Sequence, residues 1–269
     1  MLPEQFCVRM KEMLGEEYAA FYASYDLPKY QALRINPLKT ERDTFLLQAP
    51  FSLNRVPWTT NGYYYSGNDQ PGRHPYHEAG VYYIQEPSAM APAEYLMAEP
   101  GERILDLCAA PGGKSSQIAC SMQGEGLIVC NEIHPARAKI LSENIERMGV
   151  CNALVTNETP QKLSDNFREY FDRILVDAPC SGEGMFRKNE DACDEWSPEN
   201  VENCAARQAE ILDCAAEMLK PGGRLVYSTC TFAPTENEGS ISRFLERHPE
   251  FSILPAVSYT HLRAHETEA

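Results

Sequence analysis

The sequence predicts an α/β fold: a doubly wound, mostly parallel sheet with a small N-terminal α/β domain before it. Three observations carry the prediction. Beyond Gly80, short apolar runs alternate with longer stretches of helical period. The run Arg103 to Leu107 (RILDL) passes through a small-residue turn holding Pro111, Gly112 and Gly113 into Lys114-Ser115-Ser116, a strand, glycine turn and helix opening. Each apolar run also ends on polar or reactive residues, and parallel sheets bind ligands at the carboxyl ends of their strands.

In chain order, Pro3 to Ser24 places Phe6, Met10, Met13, Leu14, Tyr18 and Phe21 at the period of an amphipathic helix. Tyr30 to Ile35 (YQALRI) reads as a short strand and Thr44 to Leu47 as part of a helix; Arg34 and Asn36, where that strand meets a loop, are expected to be solvated. Val56 to Gly80 is rich in Gly, Pro, Asn and Tyr and reads as a connection or ordered loop. The domain boundary falls inside it, giving a small N-terminal domain and linker over 1–75 and a larger domain over 76–256. Val81 to Leu96 reads as a strand or turn followed by a helix starting near Pro87 and Ser88. After the glycine turn, Gly126 to Cys130 is a second buried strand, ending at Asn131 and Glu132. Pro135 opens a helix that Gly149 stops, and Asn152 to Asn157 is a third strand. Phe171 to Val176 is a fourth, ending at Asp177. Ser197-Pro198 starts a helix that runs through Leu219 and is ended by Pro221-Gly222-Gly223. Arg224 to Tyr227 is the fifth strand and leads into Ser228-Thr229-Cys230.

The 43% hydrophobic and 23% charged residues exclude a disordered or membrane class, and no apolar run approaches the roughly 18 residues of a spanning helix. The N-terminus, with Glu4 early and no apolar core, does not read as a signal peptide, so a cytoplasmic protein is expected. None of the 10 cysteines stands in a Cys-x-x-Cys spacing, which favours reduced thiols over a disulfide frame and predicts no metal site. The net charge of −15 argues against a broad basic footprint for nucleic acid, although a local basic patch or a further basic domain would still supply one.

Glu132 closes the second strand about 20 residues after the glycine turn, the offset at which an acidic side chain meets ribose hydroxyls. Three ribose-bearing ligands compete for the turn. A nicotinamide dinucleotide wants Gly-x-Gly-x-x-Gly, and only adjacent Gly112 and Gly113 are present. ATP on a P-loop is closer, because Gly113-Lys114-Ser115 matches the end of that motif, but its first glycine would stand at Cys108. S-adenosylmethionine needs the acidic residue and the close backbone, and dispenses with a phosphate cradle.

Two further strand ends each carry a nucleophile: Asp177-Ala178-Pro179-Cys180-Ser181-Gly182 and Ser228-Thr229-Cys230-Thr231-Phe232. A methyl donor paired with a thiolate implies an acceptor carbon that is not nucleophilic on its own, such as carbon 5 of a pyrimidine. Thiolate addition at carbon 6 makes carbon 5 nucleophilic, and loss of its proton later expels the thiol. The base must leave its stack to react.

The segments CAAPGGK (Cys108 to Lys114), NEIHPAR (Asn131 to Arg137), DAPCSGEGMFRK (Asp177 to Lys188) and STCTFAPTENE (Ser228 to Glu238) resemble the successive motifs of the Nol/Nop/Sun family of RNA 5-methylcytosine methyltransferases. ALRIN (Ala32 to Asn36) and YIQEPSAM (Tyr83 to Met90) are similar to that family too, and the wording is nearest its bacterial ribosomal-RNA branch. The resemblance implies a Rossmann-like class I methyltransferase domain acting on a cytosine of ribosomal RNA, with the N-terminal domain available for RNA contact. It implies Cys230 as the nucleophile, Cys180 as the group assisting product release, Asp177 against cofactor and base, and Lys188 as a holder of base or RNA. Cys108, Ala109, Ala110, Pro111, Gly112, Gly113, Lys114, Glu132 and Asp177 would bind S-adenosylmethionine. Where the family carries an acidic residue after the third strand, this chain reads Asn157-Glu158-Thr159, and Glu158 is the expected substitute. Three alternatives accompany the reading: a transfer-RNA cytosine methyltransferase, a P-loop-like nucleotide triphosphatase, and a catalytically inert RNA-binding module, against which intact Cys180 and Cys230 speak. Residues 257–269 resemble nothing in the family and are expected to be a non-native or disordered tail.

Overall fold

The protein is described from a computed structural model covering residues 2–189 and 191–255; the expected tail, 257–269, lies outside the described residues. The chain divides into two compact units. The larger comprises Tyr30–Asp177 and Asp213–Tyr227, the smaller the described parts of Met1–Lys29, Ala178–Leu212 and Ser228–Ala269.

The larger unit holds two sheets. Strands β1 (Ala32–Ile35), β2 (Leu53–Arg55), β3 (Gly62–Tyr65) and β4 (Tyr82–Ile84) form the first, in the order β2-β3-β1-β4. All its pairings are antiparallel, with Leu33 opposite Tyr63 on one side and Ile84 on the other. Leu33, Ile35, Phe45, Tyr63 and Tyr82 bury its core. Val56 to Gly80 reads as a connection or ordered loop, but Gly62–Tyr65 is a strand within it. Three consecutive tyrosines, favourable on a pleated half-buried surface, outweigh the glycine and asparagine around them.

Strands β5 (Arg103–Asp106), β6 (Leu127–Asn131), β7 (Ala153–Thr156), β8 (Phe171–Asp177) and β9 (Leu219–Ser228) form the second sheet, in the order β7-β6-β5-β8-β9. The β5–β6, β5–β8 and β6–β7 pairings are parallel. Chain order therefore reverses between β5 and β8, the crevice where doubly wound sheets take their ligands. Helices Ala91–Leu96, Gly113–Met122 and Pro135–Arg147 supply Leu96, Ile118, Met122, Leu141 and Ile145 to a core shared with Ile104, Ile128 and Leu175. The fifth strand starts at Leu219, earlier than Arg224, so Pro221-Gly222-Gly223 lies inside it and the preceding helix stops at Met218. A Cβ on Gly223 would meet the Asp172 carbonyl at 2.8 Å, which explains a glycine against the neighbouring strand.

In the smaller unit the expected single N-terminal helix is two, Glu4–Leu14 and Tyr18–Ala23, because Gly15 takes a left-handed φ of 54° between them. Phe6, Met10, Phe186, Trp196, Val201 and Ala233 form its core. Phe6 packs edge-on against Phe186 at 5.0 Å between ring centres. Aromatic pairs of this geometry add about 0.5–1.5 kcal/mol beyond the area they bury. Among the described residues no helix is long and apolar enough to cross a membrane.

Candidate active site

The residues singled out in the sequence fall into two groups, one in each unit. In the larger unit, β5 delivers Asp106 to the carboxyl edge of the sheet, and Leu107 to Gly113 turn back into the helix Gly113–Met122. The turn is fixed by hydrogen bonds from the Ala109 amide to the Asn131 carbonyl and from the Gly112 amide to the Ala109 carbonyl, both 2.8 Å. Gly112 has φ 105°, a conformation open to glycine at little cost. A Cβ on Gly113 would press on Tyr83 at 3.1 Å. Small residues are thus required at both positions by different neighbours.

Asp106 is fully buried. Its Oδ2 accepts from the Ser115 hydroxyl at 2.6 Å, while its Oδ1 is buried with no hydrogen-bond partner among the described residues. Burial pushes its pKa up to about 7, with the Asp177 charge adding to the effect and the Ser115 bond opposing it. Asp177 accepts from Lys114 Nζ at 2.7 Å. Glu132 is buried at the end of β6, where its carboxylate accepts from the His134 amide at 2.9 Å and pairs with Arg137 at 3.4 Å. Desolvation raises the Cys108 thiol well above its ordinary value, and Asp106, Asp177 and Glu132 all raise it further. Three carboxylates thus converge electrostatically on the turn. The Glu158 side chain pairs with Lys162 at 2.6 Å, and its backbone is gripped by Asn131, whose side chain donates to the Glu158 carbonyl and accepts from its amide.

Arg34 and Asn36, expected to be solvated, are buried. Arg34 donates to Gln85 Oε1 at 3.0 Å, to the Gly113 carbonyl at 2.9 Å and to Ser116 Oγ at 2.8 Å. Asn36 donates to the carbonyls of Gly80 and Met148, both at 2.8 Å. Arg34 of β1 and Asn36 just after it therefore satisfy carbonyls at the start of one helix and the end of another, a role that the short run ALRIN does not announce. Asp106, Arg34 and Asn131 are the residues of this half that sequence reasoning left out of the site. For Asp106 a signal existed, an acidic residue ending the strand that leads into the glycine turn.

In the smaller unit, Cys180 Sγ and Cys230 Sγ stand 3.2 Å apart, and the Cys230 amide donates to Cys180 Sγ at 3.3 Å. Cys230 is exposed and Cys180 partly buried. The hydrogen bond to Cys230, followed by burial, raises the Cys180 thiol far above its ordinary range. Lys188 is exposed as a residue, but its ammonium is partly desolvated, which lowers its pKa, with Cys230 pulling the other way and Lys29 adding to the lowering.

Two buried glutamates cross-link the cysteine segments, and neither was picked out in the sequence. Glu183, on the Cys180 segment, accepts from the Phe232 amide at 3.0 Å, and is held by Arg9 at 2.6 Å and Trp196 Nε1 at 2.9 Å. Glu236, on the Cys230 segment, accepts from the Ser181 amide at 2.9 Å, from the Ser181 hydroxyl and from Gln208 Nε2 at 2.9 Å. Each segment thus supplies a carboxylate to a backbone amide of the other. Gly184 completes the fit: its amide donates to the Cys230 carbonyl at 2.8 Å, and a Cβ there would lie 2.9 Å from that oxygen. No group of residues able to hold a metal ion occurs among the described residues.

Known proteins resemble this chain over most of its length. The Ribosomal RNA small subunit methyltransferase F of Cronobacter sakazakii is 40% identical over 260 residues, an alignment covering 93% of this chain and 54% of that protein. The chain thus spans about half the length of the curated relatives it matches. The crystal structure of PH0851 superposes with a TM-score of 0.87 at 29% identity, covering 96% of this chain and 59% of the other. A methyltransferase homolog from Pyrococcus horikoshii gives 0.81 at 32% identity, covering 90% and 78%. The family model for the N-terminal domain of 16S rRNA methyltransferase RsmF matches residues 2–87. That for 16S rRNA methyltransferase RsmB/F matches residues 93–268, and the chain belongs to this RsmB/F methyltransferase family.

Proposed function

We propose that the protein transfers a methyl group from S-adenosylmethionine to carbon 5 of a cytosine in RNA, through a covalent adduct of Cys230 at carbon 6, in the cytoplasm. The observation that carries the reading is the thiol pair: an exposed cysteine held 3.2 Å from a second, partly buried one. A lone packing cysteine would need neither the exposure nor the partner. The name shared by the curated relatives favours small-subunit ribosomal RNA over transfer RNA as substrate.

The larger unit's residues fit the cofactor. Cys108, Ala109, Ala110, Pro111, Gly112 and Gly113 offer backbone without bulky side chains, Glu132 lies where a ribose is received, and Asp106 Oδ1 is a buried acceptor awaiting a donor. The buried Asp106 and Glu132 beside the turn offer acceptors to a ligand with hydroxyl and ammonium groups, and Cys108 stands where a phosphate cradle needs a glycine, which speaks against the nucleotide triphosphatase reading. Lys114 further favours this, because its ammonium is engaged with Asp177. Asn131 fixes Glu158 beside Glu132, where Glu158 serves the adenine end. S-adenosylmethionine supplies an electrophilic methyl group when bound.

The remaining chemistry belongs to the chain. Cys230 attacks carbon 6 as thiolate, which places electron density on carbon 5. Asp177, steadied by Lys114, accepts a hydrogen bond from the exocyclic amine of the cytosine. Lys188 holds the flipped nucleotide near the nucleophile through its charge. Cys180 assists release when carbon 5 loses its proton and the carbon–sulfur bond breaks. The test is a Cys180→Ala variant incubated with small-subunit ribosomal RNA and S-adenosylmethionine: a stable protein–RNA adduct is expected, lost when Cys230→Ala is added. An adduct that forms without Cys230 would overturn the assignment of the nucleophile.

A further inference from the structure

We propose that Cys180 and Cys230 are also a site of oxidative modification, an adjacent dithiol that a hydroperoxide closes to an intramolecular disulfide. The geometry already does most of the work. A disulfide places its sulfurs about 2.05 Å apart, and these stand at 3.2 Å. Closing that gap requires a movement of about 1.2 Å, within what a short loop gives. Gly182, two residues after Cys180, has φ 72° with open space where a Cβ would stand, so the chain has freedom there. The crossed glutamates Glu183 and Glu236 keep both segments in register, so the cysteines meet each other before any other thiol.

The two sulfurs have different parts. Cys230 is exposed and receives the oxidant; Cys180, less accessible, resolves. The Cys230 thiolate attacks one oxygen of the peroxide, the O–O bond breaks and hydroxide or alkoxide departs, leaving a sulfenic acid on a sulfur oxidised by two electrons. The Cys180 sulfur then attacks the sulfenic sulfur; the S–S bond forms, the S–O bond breaks, and the hydroxide leaves as water with the thiol proton. With hydrogen peroxide the balance is two thiols and one peroxide giving one disulfide and two waters. Because the resolving thiol is in place, the sulfenic acid is consumed before it reaches the irreversible sulfinic level. Cys151, also exposed but not paired with another cysteine, lacks this protection. The disulfide consumes both thiols on which the proposed methyl transfer rests, so oxidation by peroxide would suspend the reaction and a thiol reductant restore it.

The experiment treats the full chain with hydrogen peroxide, blocks remaining thiols with an alkylating reagent, and maps peptides by mass spectrometry with and without dithiothreitol. The expected result is one linked peptide pair joining Cys180 to Cys230, released by dithiothreitol, with Cys151 oxidised independently. In Cys180→Ser, Cys230 is expected to pass to sulfinic and sulfonic acid that dithiothreitol does not reverse. Sulfinic acid at Cys230 of the native chain, links to other cysteines, or both thiols left alkylatable would each overturn the proposal. The mapping needs neither RNA nor cofactor, so it stands or falls separately from the methyltransferase reading. A parallel assay of RNA-adduct formation, before oxidation, after it, and after dithiothreitol, tests the link between the two.

Discussion

Replacing Glu236 tests whether the crossed carboxylates set the geometry of the cysteine pair. Glu236 is fully buried and accepts from the Ser181 amide, the Ser181 hydroxyl and Gln208 Nε2. In Glu236→Ala the hydroxyl can still bond to Thr231 Oγ1 at 2.9 Å, but the amide and the Gln208 donor lose an acceptor. Each buried donor left unsatisfied costs about 1–3 kcal/mol, so a loss of about 3–5 kcal/mol is expected. Glu236→Gln keeps an oxygen that can serve both the Ser181 amide and Gln208; only the Ser181 hydroxyl must turn, accepting from the new amide while donating to Thr231. Its expected cost is about 1 kcal/mol. Urea denaturation reads the stability, and adduct formation in a Cys180→Ala background reads the geometry, with alanine abolishing the adduct and glutamine preserving most of it. Equal damage from the two substitutions, or an alanine variant with unchanged midpoint and adduct yield, would refute the idea that this carboxylate positions the nucleophile.

Asp106 gives a pH signature. Its unfolded carboxyl ionises near pH 4 and its folded one near 7, so the folded form holds the extra proton and its stability falls as pH rises between those values, then levels. Asp106→Asn keeps the acceptor for Ser115, so its stability advantage in urea denaturation should grow from pH 5 to pH 8 by about 2.5 kcal/mol, nearly all of it gained below pH 7, while S-adenosylhomocysteine binding weakens; a pH-independent difference would contradict the buried carboxylate. Gly184→Ala should cut methyl transfer at least tenfold with little change in cofactor affinity, since the added Cβ meets the Cys230 carbonyl at 2.9 Å. Arg34→Lys should weaken S-adenosylhomocysteine binding in a calorimeter by about tenfold, because a single ammonium cannot hold Gln85, the Gly113 carbonyl and Ser116 together; unchanged affinity would show that Arg34 does not support the turn.

Much of this was legible in the chain because its signals are local. The parallel strands announce themselves by apolar runs ending in Asp106, Asn131 and Asp177, and the glycine turn by residues that tolerate no Cβ. What escaped was non-local. Nothing near Arg34 says that its guanidinium serves a carbonyl 79 residues away at Gly113. Glu183 and Glu236 sit in segments rich in charged residues, where a solvated carboxylate is the ordinary expectation, and only the fold shows each reaching a backbone amide about 50 residues distant. The tyrosines of Gly62–Tyr65 escaped for the opposite reason, since turn residues around them masked a strand signal that was present.

The smaller unit is stitched from three stretches of chain separated by long intervals. Arg9 meets Glu183 across 174 residues of sequence. On a ribosome adding roughly 5–20 residues each second, the N-terminal helix waits on the order of ten to thirty seconds before Phe186, Trp196 and Glu183 emerge to cover Phe6 and Met10. During that interval an apolar helix face is bare in the nascent polypeptide, and Cys230 is still unmade. The cysteine pair therefore acquires its surroundings only once Cys230 has been made, long after the first helix.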